Sequence, residues 1–176
     1  MKHIYFPMCM AVALFGCNAP FDSENANERA NGIDLPLELT GRVVDAADLL
    51  TVAQEDKLVE ELTVIEQNTL AQLVVVTTPS LDGQTIEAYT LGLGNGWGIG
   101  DADRDDGLLL LLAPNERQVR IEIGLGLEET VTDMEAQQIV DAMIPHFSKS
   151  KFNDGIAIGV DRLAAELREP ELKDAA

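Results

Sequence analysis

Cysteine is nearly absent from this chain: 176 residues contain two, Cys9 and Cys17. From Asn18 onward no thiol exists, which excludes a disulfide framework, a cysteine nucleophile and a thiolate metal centre. Histidine is as scarce, with His146 the only one after His3. One imidazole excludes a conventional zinc site, and its place beside Ser148 and Ser150 marks an ordinary helix-end histidine. Positive charge is also short: 12 Lys and Arg stand against 31 Asp and Glu, a net charge of −19 that becomes −20 without Lys2. That balance excludes a nucleic-acid partner, whose phosphates need cations, and electrostatic docking to anionic lipid. No apolar run approaches the ~20 residues of a membrane span, so Leu108–Leu112 is core. Neither a P-loop nor a G-x-G-x-x-G follows a strand. The glycine-rich run Gly92–Gly100 comes after a helical pattern and reads as a loop anchored by Trp97.

The first sixteen residues are led by Lys2 and are mostly apolar, as a secretory signal begins. Leu14-Phe15-Gly16-Cys17 has the spacing of a bacterial lipobox: an aliphatic residue, a variable one, a small one, then the thiol that can carry a diacylglycerol. Residues 1–16 are therefore expected to be a lipoprotein signal, with Cys17 as the lipidation site. The anchor would hold the protein to the cell envelope. Asn18 after the cysteine resembles outer-membrane sorting in a Gram-negative source. Residues 17–36 are polar and broken by Gly32 and Pro36, the composition of a flexible tether. Residues 37–169 remain as one domain, large enough for a single core, before a short tail at 170–176.

Within that domain helix and strand patterns alternate. Thr51 and Gln54 form a capping box opening a helix to about Asn68, with Leu58, Leu62 and Ile65 on one face. Ala71–Thr77 is β-branched and stops before Pro79, so it reads as a buried strand. Thr85–Leu93 carries Ile86, Tyr89 and Leu93 at helical spacing. Leu108–Ala113 and Gln118–Ile123 flank a four-residue turn and predict a hairpin. A second capping box, Thr132 and Glu135, opens a helix with Ile139, Val140, Met143 and Phe147 inward and Pro145 bending or ending its last turn. Asn153 or Asp154 is expected to cap a final helix carrying Ile156, Val160, Leu163 and Leu167. This alternation predicts an α/β fold.

The densest chemistry lies just before the hairpin. Asp101, Asp103, Asp105 and Asp106 precede Gly107 and the leucine strand. Carboxylates gathered at the mouth of a sheet need neutralising, and a hard cation with oxygen ligands would do it. Asp101, Asp103 and Asp105 imitate the first three ligand positions of an EF-hand, but Asp106 replaces its glycine and Leu112 its terminal glutamate. Further carboxylates would have to come from elsewhere, with Asp45 and Asp48 as candidates. A solvated turn whose aspartates cap loop amides is the alternative.

Trp97-Gly98-Ile99-Gly100, the acidic Asp105-Asp106-Gly107 before the leucine strand, and the run from Ala113 and Pro114 through Arg120-Ile121-Glu122 to Gly126-Leu127-Glu128 together resemble the TPM domain family. This family is named for a thylakoid lumen protein, a photosystem II repair factor and a nematode receptor modulator. The likeness continues through Gly41-Arg42-Val43-Val44-Asp45 on one side and Thr132-Asp133 and Asn153-Asp154-Gly155-Ile156 on the other. It implies a single α/β/α sandwich with a small, mostly parallel sheet, one antiparallel hairpin strand, and flanking helices. It also implies Ca²⁺, or Mg²⁺, near the acidic turn. Asp105 and Asp106 match the motif directly, and Asp45 matches through Val-Val-Asp.

The expected metal set is thus Asp45, Asp101, Asp103, Asp105 and Asp106. The expected role is a lipid-anchored accessory module for membrane protein complexes, binding a divalent cation. A metal-dependent acid phosphatase is the alternative the resemblance also implies, since aspartates around an ion could polarise a phosphoryl oxygen. No catalytic residue is assigned, because the scattered arginines offer no phosphate grip. A structural lipoprotein without a ligand is the third.

Overall fold

A computed structural model describes residues 35–168. The expected signal, Cys17, most of the tether and the tail lie outside those residues. The elements in chain order are β1 (Val43–Asp45), α1 (Val52–Thr69), β2 (Gln72–Thr77), α2 (Ile86–Trp97), β3 (Gly107–Ala113), β4 (Gln118–Ile123), a 3-10 turn (Leu125–Leu127), α3 (Asp133–Phe147) and α4 (Phe152–Arg168). The sheet runs β1-β2-β3-β4. β1, β2 and β3 are parallel, and β4 is antiparallel to β3. The expected mostly parallel α/β/α sandwich is what forms.

Both faces of the sheet are covered, which is why β2 and β3 are almost wholly apolar. Leu73, Val75, Leu108, Leu110 and Leu112 face α1, α3 and α4. Val74, Val76, Leu109 and Leu111 face α2 and the incoming segment at Leu35, Leu37 and Leu39. Packing thus begins at Leu35, two residues inside the expected tether. The two parallel crossovers step the same way across the sheet yet pass over opposite faces. They therefore have opposite hand, and one departs from the right-handed rule.

Both capping boxes form as the spacing predicts, Thr51 with Gln54 and Thr132 with Glu135. Pro145 is held inside α3, which stops two residues later. Three local expectations are corrected. The run at Gly92, Gly94 and Gly96 is not a loop, because α2 continues through it to Trp97 before Gly98 ends it in a left-handed conformation. Wholly buried Trp97 explains the extension: its indole packs in the core and donates to the Leu37 carbonyl at 3.2 Å. α4 starts at Phe152, so Asn153 and Asp154 lie in its first turn and do not cap it. Strand β1 was not expected at all; three residues are too few to display a period. Among the described residues no helix is long and apolar enough to cross a membrane.

Candidate functional site

The acidic loop joins α2 to β3 and closes on itself. Asp106, buried at the foot of β3, accepts from the Asp101 amide at 2.7 Å through one oxygen and from Arg104 Nε at 2.5 Å through the other. Asp101 accepts from the amides of Asp103 (3.0 Å) and Arg104 (3.2 Å) and also pairs with the Arg104 guanidinium at 3.4 Å. Hydrogen bonding to Asp106, followed by its charge, holds Arg104 even more firmly protonated than usual. Two of the four loop carboxylates are therefore engaged by the loop itself, sharing one guanidinium and three backbone amides. Asp103 and Asp105 accept no hydrogen bond and make no ion pair through their side chains among the described residues. Asp105 sits at φ 48°, a left-handed conformation that aspartate tolerates better than most residues.

The loop is pinned from the other side by the turn after β4. Gly126 donates to the Asp105 carbonyl at 3.0 Å, and a Cβ there would collide with the Arg104 carbonyl oxygen. Only glycine allows that approach. The result is a cleft of about 350 Å³ bounded by α2, the loop and the end of β4. Its carboxylates are Asp105, Glu122 and Glu128, and its apolar walls include Leu91, Ile99 and Leu125. Leu91 and Leu125 are 52% and 72% exposed. Glu122 is partly held, by Arg120 at 2.8 Å and by the Thr90 hydroxyl at 3.1 Å. In the sequence Glu122 and Glu128 stand out only as part of the family motif, not as site residues, and Leu91 and Leu125 do not stand out at all. Alternation along β4 places Glu122 on the α2 face, and Leu125 and Glu128 belong to the glycine-flanked motif that follows.

Asp45 stands elsewhere. It ends β1 in register with Thr77 of β2, which pairs with Leu112 of β3. The acidic loop meets the sheet at Gly107, in register with Gln72. Five residues of strand, roughly 17 Å, separate the two levels. Both oxygens of Asp45 are already engaged, one by the Leu50 amide at 2.8 Å and one by the Thr77 hydroxyl. The expected five-aspartate set is thus divided, with Asp101, Asp103, Asp105 and Asp106 together and Asp45 apart. Asp48 shares Asp45's end, where burial first, and then Asp45, Asp56 and Asp48, push the Glu55 carboxyl upward. Among the described residues no three His, Cys, Asp or Glu side chains are arranged to hold a metal ion.

The family model of the TPM domain matches residues 43–166. The chain belongs to the TPM domain family. The chain is similar to the N-terminal domain of a P. gingivalis protein, at 36% identity and a TM-score of 0.69, over 76% of this chain and 85% of that one. The N-terminal domain of Corynebacterium glutamicum cg2496 shares 19% identity at a TM-score of 0.60, covering 78% and 86%. The BA42 protein of the psychrophile Bizionia argentinensis shares 18% at 0.61, covering 68% and 82%. These last two show the fold alone. No curated protein matches the chain.

Proposed function

We propose that this TPM domain is a lipid-anchored interaction module of the cell envelope, tethered through acylated Cys17 and docking membrane protein partners at the cleft beside the acidic loop. One observation carries the docking: Leu91 and Leu125 stay exposed inside a cleft edged by Asp105, Glu122 and Glu128. Large apolar side chains left in water within a charged rim favour a partner surface over a solvated turn. A divalent cation, Ca²⁺ or Mg²⁺, would draw on Asp103 and Asp105, the loop carboxylates with no internal partner, and complete its shell with water. The same geometry weighs against phosphoryl transfer. Arg104 is engaged by Asp106 and Asp101, and no Lys or Arg lines the cleft.

Thermal unfolding of the full chain in chelator, calcium and magnesium tests the cation. A metal that binds only the folded state should raise Tm by roughly 2–5 °C at millimolar concentration. Asp103→Asn/Asp105→Asn should remove that rise while leaving Tm in chelator unchanged. Identical curves in all three solutions would end the cation proposal. For docking, a photo-crosslinker at position 125 of the envelope-anchored protein should trap a discrete membrane protein, and Leu91→Ser should weaken the adduct. No adduct would leave a structural lipoprotein.

A further inference from the structure

β4 is the outermost strand, and its free side follows from the register. The Gly124 amide bonds to the Gly107 carbonyl, so the bonded pairs of this antiparallel ladder are 122 with 109, 120 with 111 and 118 with 113. The main-chain groups of Val119, Ile121 and Ile123 therefore point away from β3, and no described residue bonds to their amides. This edge is recessed: Ile121 is only 6% exposed. It borders a cleft of about 310 Å³ whose walls are the first turn of α2 (Ile86, Glu87) and α3 (Asp133, Gln137). Two more clefts continue the line of the strand. One is the acidic cleft at Glu122–Leu125; the other, about 410 Å³, lies beside Arg117–Val119 and is walled by Ile144, Phe147 and Phe152.

We propose that the outer edge of β4 receives an extended partner segment as a fifth strand, with basic side chains along most of its length and an apolar residue toward Phe147. Unpaired edge amides are a template for strand addition, and alternate side chains of the added strand then reach the flanking clefts. Charge chooses the occupant. Glu87 and Asp133 border the middle of the track and Asp105 and Glu128 its far end, while Arg120 is already paired with Glu122. The slot between two helices admits one strand more readily than a second copy of the sheet with its own covering helices. The proposal stands on the outward backbone of β4, with Asp105 and Glu128 supplying charge only at one end, so failure to crosslink at position 125 leaves it intact.

Amide hydrogen exchange of the full chain tests it, with an acetylated, amidated octapeptide of alternating valine and lysine as the probe. In the free protein Val119, Ile121 and Ile123 should exchange faster than Arg120 and Glu122. Saturating peptide should slow those three by about tenfold or more. An alternating valine–glutamate peptide should not, nor should the lysine peptide N-methylated at every second residue. Val119→Pro deletes one outward N–H without touching the ladder to β3, and should weaken binding about tenfold. Should that variant fold poorly, the N-methylated peptide still decides. Unchanged exchange at the three amides overturns the proposal, as does equal protection by either control peptide. Protection that rises with protein concentration alone overturns it in favour of a second copy.

Discussion

The two ends of the sheet carry acidic residues under opposite regimes. At the β3 entrance four aspartates crowd one loop, and one arginine with a few amides absorbs Asp101 and Asp106, leaving Asp103 and Asp105 outward. At the β1 exit Asp45 is wholly engaged, while the chain segments leaving β1 and β2 diverge to opposite faces. In open parallel sheets that divergence is where ligands usually bind. Here topology favours one end and free carboxylates favour the other. The difference teaches that acidic density does not mark a site by itself; what counts is which oxygens the fold has left unbonded.

Asp106→Ala should break the comparison most severely. It strips the Asp101 amide and Arg104 of their buried acceptor, and should cost about 2–3 kcal/mol by the usual scale of hydrogen bonds to charged groups. Urea unfolding measures it. A loss below about 0.5 kcal/mol would mean that the loop holds its shape without this carboxylate. Asp45→Asn should cost less, about 1 kcal/mol, because the amide oxygen still accepts one of the two bonds. Its response to calcium and magnesium should match that of the unaltered chain. A lost metal response would instead tie Asp45 to the acidic loop across the sheet.

Much of this was legible in the residues. Helix starts were set by side chains that must satisfy orphan amides, so Thr51 and Thr132 announced themselves. Strands buried on both faces left continuous apolar runs. Trp97 reads as a packing anchor and is one, but the full extent of α2 is not legible, because glycine's weak helical preference is overruled by that indole's burial. The acidic loop was visible as composition, whereas its internal pairing depends on Arg104 turning back onto Asp101 and Asp106, which spacing does not encode. Asp45 was grouped with the loop because a motif records membership in a family and not position within a sheet. The exposed leucines of the cleft were hidden for another reason: in sequence, Leu91 and Leu125 look no different from core leucines.

Glu87 supplies the smallest effect and calibrates the other two, because it is an acid fully in solvent, outside both the acidic loop and the Asp45 contacts. It lies in the first turn of α2, where its own backbone amide first, and then the Thr85 hydroxyl, hold its carboxyl below the usual range. A carboxyl lowered by folding binds its proton more tightly in the unfolded chain, so the stabilisation exists at neutral pH and fades on acidification. Glu87→Gln should therefore lower Tm slightly at pH 7. The gap to the unaltered chain should narrow as pH falls below the ordinary value of 4.5 and close beneath the folded-state value. Melting curves from pH 7 to pH 3 measure it. A gap that persists at pH 3 would show that the carboxylate's charge is not the source. The cost of Asp106→Ala could then be compared with that of an exposed helix-start acid whose contribution is geometric.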